Sequence, residues 1–316
     1  MPAPNLKGAL LALLSFGIYA SHDAVVKALG GTYTAFQIVF FSVVLAFPLA
    51  VLLALSEGRN IRLRPRNPGL MAIRCAAVVT SALCAFYSFT VLPLAQTYAL
   101  LFTMPLFITL LAMPVLGERV GARRLAAVAV GFCGVLVVLR PGQVDLGPGH
   151  LSALASAGAA AVNSVITRRI SAQESRATML IFPMLAQFGA TAVALPFVYV
   201  PVAGADLVLM GLVAAGAFLG MLAMITAFRF AEALVVAPMH YSQILWAVFY
   251  GYVFFHETPH TLTFLGAAII IGSGLYILLR EGRPSVSATR PVSHATPAPA
   301  PPAPPVAEPP RNDQAP

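Results

Sequence analysis

The chain has 316 residues, of which 59% are hydrophobic and 9% charged. A soluble domain carries about 25% charged residues, so this chain cannot coat a water-soluble globule; a cytosolic enzyme, a secreted domain and a disordered chain are excluded. The net charge of +8 does not point to nucleic acid, because the basic residues sit between apolar runs rather than on one solvated face.

A helix needs about 20 apolar residues to cross a bilayer. Ten such runs follow one another, at approximately 7–28, 34–55, 69–91, 95–116, 122–140, 149–168, 176–199, 206–229, 234–255 and 261–280. The expected fold class is therefore an all-α polytopic membrane protein. The first run is too long for the apolar core of a signal peptide. With the N-terminus placed in the cytoplasm, 17 of the 19 Lys and Arg residues fall on the cytoplasmic side, and only Lys27 and Arg140 fall outside. That asymmetry is the one the positive-inside rule requires, and it puts both termini in the cytoplasm of a cell whose inner membrane holds the chain. The lipid bilayer is then its main surrounding.

In the first span Ser15, Tyr19 and His22 share one face. Asp23 and Lys27 stand one turn apart, acid before base, and are expected to pair. His22 titrates near neutral pH when unperturbed, so His22 and Asp23 are candidates for proton coupling. Pro48, Pro105 and Pro183 lie inside spans and should kink them. In the fourth span Gln96, Thr103 and Phe107 fall within about 40° of arc on a continuous helix. Asn163, in the sixth span, occupies the position that corresponds to His22 in the duplication described below; with Tyr19, His22, Gln96 and Thr103 it is a candidate substrate-binding residue.

Gly216 and Gly220 form a GxxxG in the eighth span, with Gly211 roughly in line. It allows close helix contact, either within the chain or in a homodimer. In the ninth span His240, Gln243, Trp246 and Tyr250 fall within about 120° of arc. That face suits a planar, polar-edged small-molecule substrate stacked on an aromatic side chain.

Cys75, Cys84 and Cys133 all lie in apolar segments and read as small packing residues. HETPH at 256–260 matches the zincin pattern HExxH, which needs both imidazoles on one helical face. Here it straddles a span boundary and contains Pro259, so no metal, cofactor or catalytic residue is expected. No Ser-hydrolase elbow and no nucleotide-binding P-loop is present. An intramembrane enzyme and a membrane scaffold are the alternatives from other classes. After Arg283 the chain turns Pro/Ala-rich, with no apolar run, and reads as a disordered cytoplasmic tail.

The chain repeats itself. GALLALLSFGIYASHDAVVK from Gly8 matches GHLSALASAGAAAVNSVITR from Gly149 at an offset of 141, with Lys27 meeting Arg168. PVLGERV around Glu118 meets FFHETPH around Glu257, and GVLVVLRPG from Gly134 meets GLYILLREG from Gly274, at offsets of 139 and 140. Each copy holds five spans, an odd number, so the second copy enters the membrane from the opposite side. Inverted repeats of this kind are a common design of secondary transporters. The expected architecture is ten helices as two inverted five-helix repeats, 7–142 and 149–282, around a central cavity. The tail covers 283–316.

Ten spans in two five-helix repeats, each with a Glu at the end of its fourth helix (GER, HET) and a Gly-rich fifth helix ending near Arg-x-Gly, resemble the EamA branch of the drug/metabolite transporter superfamily. The runs FQIVFFS from Phe36 and APMHYSQILWA from Ala237 are similar to bacterial riboflavin importers. This resemblance implies transport by alternating access, with riboflavin as the first cargo and export of amino acids or other metabolites as the alternative.

Overall fold

The computed structural model describes residues 3–56, 65–117, 120–142 and 146–281. Glu118 and Arg119 of the GER motif, the arginines at 59, 62 and 64, and the tail lie outside the described residues.

All regular elements among the described residues are helical. They are α1 (Ala3–Leu29), α2 (Ala35–Ser56), α3 (Pro68–Val91), α4 (Leu94–Leu101), α5 (Met104–Leu116), α6 (Ala122–Leu139), α7 (Pro148–Ile170), α8 (Arg176–Val198), α9 (Gly204–Phe230), α10 (Ala233–Val236), a 3-10 turn (Ala237–Ser242), α11 (Gln243–Phe255) and α12 (Thr261–Glu281). Every expected span is covered by helix. Among the described residues, seven segments are long and apolar enough to cross a membrane, counting α4 and α5 as one. The others fall short locally: α7 is interrupted by Ser, Asn, Thr and Arg, and α11 has only 13 residues.

The fourth and ninth spans are not continuous helices. α4 stops at Leu101, and α5 restarts at Met104 with Pro105 in its first turn. The ninth span passes through a 3-10 turn that has Pro238 near its start. Proline supplies no N–H and favours helix starts over interiors. The kink expected at Pro105 is therefore a break. The arcs computed for these two spans on a straight helix do not hold.

The breaks share one register. α4 and α10 start at Leu94 and Ala233, and α5 and α11 start at Met104 and Gln243, both shifts of 139 residues. Both 13-residue helices end on a left-handed residue, Gly117 (φ 70°) and His256 (φ 55°).

Packing follows the same correspondence. α1 lies along α9, and α3 lies along α7. Ser15 on α1 donates its hydroxyl to Gly220 O on α9 at 2.7 Å, and Ser156 on α7 donates to Ser81 O on α3 at 2.9 Å. Each close approach needs a glycine. A Cβ at Gly8 would stand 2.3 Å from Ala231 Cβ, and one at Gly149 would stand 2.5 Å from Val91 Cγ2. The GxxxG of α9 is used inside the chain: Gly220 receives the ring of Tyr19, and Gly216 faces His22 on α1. That face is covered and does not offer itself to a second copy.

The connecting loops are clasped at two places. Between α1 and α2, the Tyr33 phenol donates to Asp206 at 2.7 Å, and Gln37 exchanges hydrogen bonds with the main chain of Val200 at 2.6 and 3.0 Å. Between α7 and α8, Glu174 accepts the N–H groups of Arg66 and Asn67 at 2.9 Å each. Tyr33 and Glu174 are 141 positions apart.

Candidate functional site

α1 is the spine of the site. Its second half carries Gly17, Ser21, His22, Asp23 and Lys27, which meet α3, α4, α9 and α11. The apolar faces of these helices bury each other, so the polar groups between them must find partners in one another.

Asp23 takes two partners. His22 Nδ1 lies 2.7 Å from Asp23 Oδ1, and the Tyr98 phenol on α4 donates to Asp23 Oδ2. Tyr98 is 3% exposed and held between the rings of Phe89 and Phe102. His22 has Gly216 on one side and the edge of Phe86 at 5.6 Å on another. The His22 and Asp23 side chains stay 10% and 14% exposed.

A second chain of contacts runs beside the first. The Ser21 hydroxyl and the Tyr250 phenol share a hydrogen bond of 2.7 Å. Tyr250 stacks on Trp246, with ring centroids 6.0 Å apart and planes 22° from parallel. The indole also lies over Gly17, where a Cβ would stand 3.3 Å from Trp246 Cε2. Trp246 is 38% exposed, so one part of it is free to meet another surface.

His240 belongs to a third group. Its ring meets Phe16 at 5.0 Å, Phe102 at 5.3 Å and Tyr241 at 6.0 Å. Gln243, the first residue of α11, is buried nearby in sequence. Both breaks therefore meet here: Phe102 from the first and His240 with Tyr241 from the second.

The expected pairing of Asp23 with Lys27 is not found. Lys27 Nζ lies 2.9 Å from Glu257 Oε1, and it donates to Leu92 O at 2.6 Å. Asp23 has turned to Tyr98 instead. A neighbour at i+4 offers an exposed helix only a few tenths of a kcal/mol, whereas a partly buried charge gains more from several partners.

Four expected residues stand elsewhere. Gln96 Nε2 is 2.9 Å from His150 Nε2, at the start of α7. Thr103 stands at the N-terminal boundary of α5 with no side-chain cap and donates its hydroxyl to Leu100 O, so it marks the break and is fully buried. Asn163 accepts a long bond of 3.4 Å from Thr167 in its own helix. Tyr19 faces Gly220 on α9.

Ser21, Tyr98, Lys27 and Glu257 were missed as members of this region. Tyr98 carried a signal: a phenol in an apolar run needs a partner when buried.

Cavities of about 580, 530 and 230 Å³ are found. None is lined by the residues above. The first of these lies between the α1–α2 connection with the start of α2 (Gly30 to Phe36), Leu83 to Val91 on α3, Ser152 and Val198. Of the candidate residues, Trp246 and Tyr250 stack on each other, and Tyr250 bonds Ser21 beside His22. No cluster of metal-ligating side chains occurs among the described residues. HETPH runs from the last turn of α11 into a loop.

The sequence profile of the EamA-like transporter family matches twice, over residues 6–140 and 147–279. Among characterised proteins, the chain is 26% identical over 277 residues to an S-adenosylmethionine uptake transporter of Rickettsia prowazekii, covering 87% of this chain and 94% of that protein. It is 29% identical over 273 residues to the pseudopaline exporter CntI of Pseudomonas aeruginosa, covering 84% and 93%. It is 33% identical over 194 residues to a riboflavin transporter of Rhizobium johnstonii, covering 60% and 64%. A solved crystal structure superposes with a TM-score of 0.62 at 17% identity, covering 88% of this chain and 99% of the other. That likeness concerns the fold.

Proposed function

We propose that this chain, which belongs to the EamA-like transporter family, is a secondary transporter of the bacterial inner membrane with riboflavin uptake as its first cargo. Transport of a small metabolite is the family's activity. The inner-membrane location, the cytoplasmic termini and the cargo are part of the proposal. Its single strongest support is the Trp246–Tyr250 stack beside Ser21, Asp23 and His22. A flat ring system gains from an aromatic face, and its polar edge gains from hydroxyl and carboxylate groups set to one side.

The mechanism we favour is alternating access by two inverted repeats, 7–142 and 149–282. The repeated helix starts and the matched pairs α1–α9 and α7–α3 support it. In a related pair of halves, each can adopt the other's conformation, which exposes the site to one side and then the other. The two broken helices supply the joints. His22 and Asp23 are placed to hold a proton between them, and the Tyr98 phenol on α4 shares the same carboxylate. Asn163, at the corresponding position of the second half, cannot titrate. Coupling would then belong to the first half alone.

Cells that lack riboflavin synthesis test the cargo. The reading predicts growth on scarce riboflavin when this gene is expressed. Absence of growth, with the protein verified in the membrane, rejects riboflavin.

One observation favours a second cargo. Lys27 is engaged by Glu257, so Asp23 faces the site with His22 and Tyr98 as its partners and no Lys or Arg. A carboxylate beside aromatic rings suits a cationic molecule with a planar base. S-adenosylmethionine, the cargo named for the Rickettsia relatives, has both features. Competition between the two compounds for one transport activity separates the readings.

A further inference from the structure

We propose that Lys27 and Glu257 form the latch that holds one end of the transport path shut, and that Glu257 is a positioning residue for opening. The inference rests on the transport reading but not on its cargo.

The pair does more than neutralise charge. Glu257 Oε2 accepts the N–H of Leu94, the first residue of α4, at 2.9 Å. Pro93 stands before that helix and brings no capping side chain. The Glu257 carboxylate thus supplies the cap, at the positive end of the helix dipole. Its other oxygen holds Lys27.

Lys27 in turn donates to Leu92 O at 2.6 Å and approaches Phe89 O at 3.4 Å, at the carbonyl-rich end of α3. It also lies 5.4 Å from the centre of the Phe255 ring. One ion pair therefore ties α1, the α3–α4 turn and the end of α11. Both side chains are largely buried, 12% and 14% exposed.

The local backbone fits Glu257 for this place. α11 ends on His256 in a left-handed conformation, and Glu257 N returns to Gly251 O at 2.9 Å. The carboxylate lies over Gly251, where a Cβ would stand 2.8 Å from Oε2. Any larger residue at 251 would push Glu257 off α4.

The consequence is mechanical. α4 is a single short helix between this cap and the break at Phe102–Thr103. When the pair opens, α4 loses its cap and α1 loses its tie to α3 and α11. α4 carries Tyr98, the partner of Asp23, so the latch and the polar network move together.

The polarity of the latch gives a sharp test. The Lys must meet carbonyls, and the Glu must meet an N–H. Reversing the charges keeps an ion pair but points each group at the wrong end of a helix. The experiment uses full-length protein in membranes, with Cys75, Cys84 and Cys133 replaced by alanine and Ser88→Cys as reporter. Ser88 is fully buried on α3, one turn before the Leu92 carbonyl. A membrane-impermeant maleimide is applied to one side, then to the other.

Lys27→Met and Glu257→Gln each raise Ser88→Cys labelling at least tenfold from one side only. The double swap Lys27→Glu with Glu257→Lys labels as fast as either single variant. Parental labelling rates in both single variants, with the proteins monodisperse after extraction, overturn the latch. So does a swap that restores the parental rate, because a simple ion pair would then suffice. None of these readouts uses a cargo, so failure of riboflavin transport leaves the outcome readable.

Discussion

Asp23 and Lys27 stand one turn apart on α1 and bind in different directions: Asp23 to Tyr98 on α4, Lys27 to Glu257 beyond α11. The helix thereby separates an acidic group inside the candidate site from the proposed latch at its end. Much of the site's behaviour follows from that division.

Asp23→Asn keeps the shape and removes the charge. Transport should fall at least tenfold with normal amounts of protein in the membrane. Tyr98→Phe removes one hydrogen bond to a charged acceptor, worth about 1.5–3 kcal/mol, and should weaken transport at the same step. Initial rates against external pH check both. An Asp23→Asn protein that still responds to a proton gradient removes Asp23 from coupling.

Trp246→Ala removes the stacking surface over Gly17 and beside Tyr250. Loss of an aromatic pair costs about 0.5–1.5 kcal/mol beyond buried area, so affinity should drop several-fold, and Trp246→Phe should recover part of it. Equilibrium binding to purified protein is the measurement. Equal affinity of Trp246→Ala and parent would take this face out of the site.

The close helix approaches predict a paired stability effect. Gly8→Ala and Gly149→Ala each place a methyl group within 2.5 Å of a neighbouring side chain, and overpacking of this kind costs about 1–3 kcal/mol. Both should lower the melting temperature in detergent. Gly158→Ala meets nothing within 4 Å and should raise it slightly, since alanine favours helix over glycine by about 0.8–1.0 kcal/mol.

Tyr33 gives an alkaline signature. Its hydrogen bond to Asp206 raises the phenol above its ordinary range, with burial adding to the effect. A raised pKa in the folded state means stability that is complete below the unfolded value, about 10, and lost as pH rises through the folded one. Melting temperature should fall more steeply above about pH 10 in the parent than in Tyr33→Phe. Parallel profiles would show that this clasp does not sense the phenol proton.

Much of the fold was legible. Apolar length located the ten segments to within a few residues of the helices, because the bilayer requirement is crude and strong. The internal offset anticipated corresponding helix ends. The breaks at Phe102–Thr103 and Ala237–Ser242 were not legible as breaks. A periodicity argument assumes one continuous helix, and Pro105 alone does not say whether a helix bends or restarts.

Side-chain partners in the candidate site were less legible. Trp246 and Tyr250 on α11 pack against Gly17 and Ser21 on α1, the latter one residue before His22, whereas Gln96 meets His150 and Asn163 bonds within its own helix. The Asp23–Lys27 expectation failed because sequence shows only local neighbours. Glu257 lies 230 positions from Lys27, and its competition could not be seen. Glu257 itself was noticed as part of a motif, but its task of capping α4 depends on Pro93 lacking a cap, a fact that needs the two segments side by side.

The most direct measurement is riboflavin uptake into liposomes containing the purified protein. The account predicts saturable uptake above protein-free liposomes, reduced in Trp246→Ala and lost in Asp23→Asn. Uptake no greater than in protein-free liposomes, or equal uptake by parent and both variants, would contradict it.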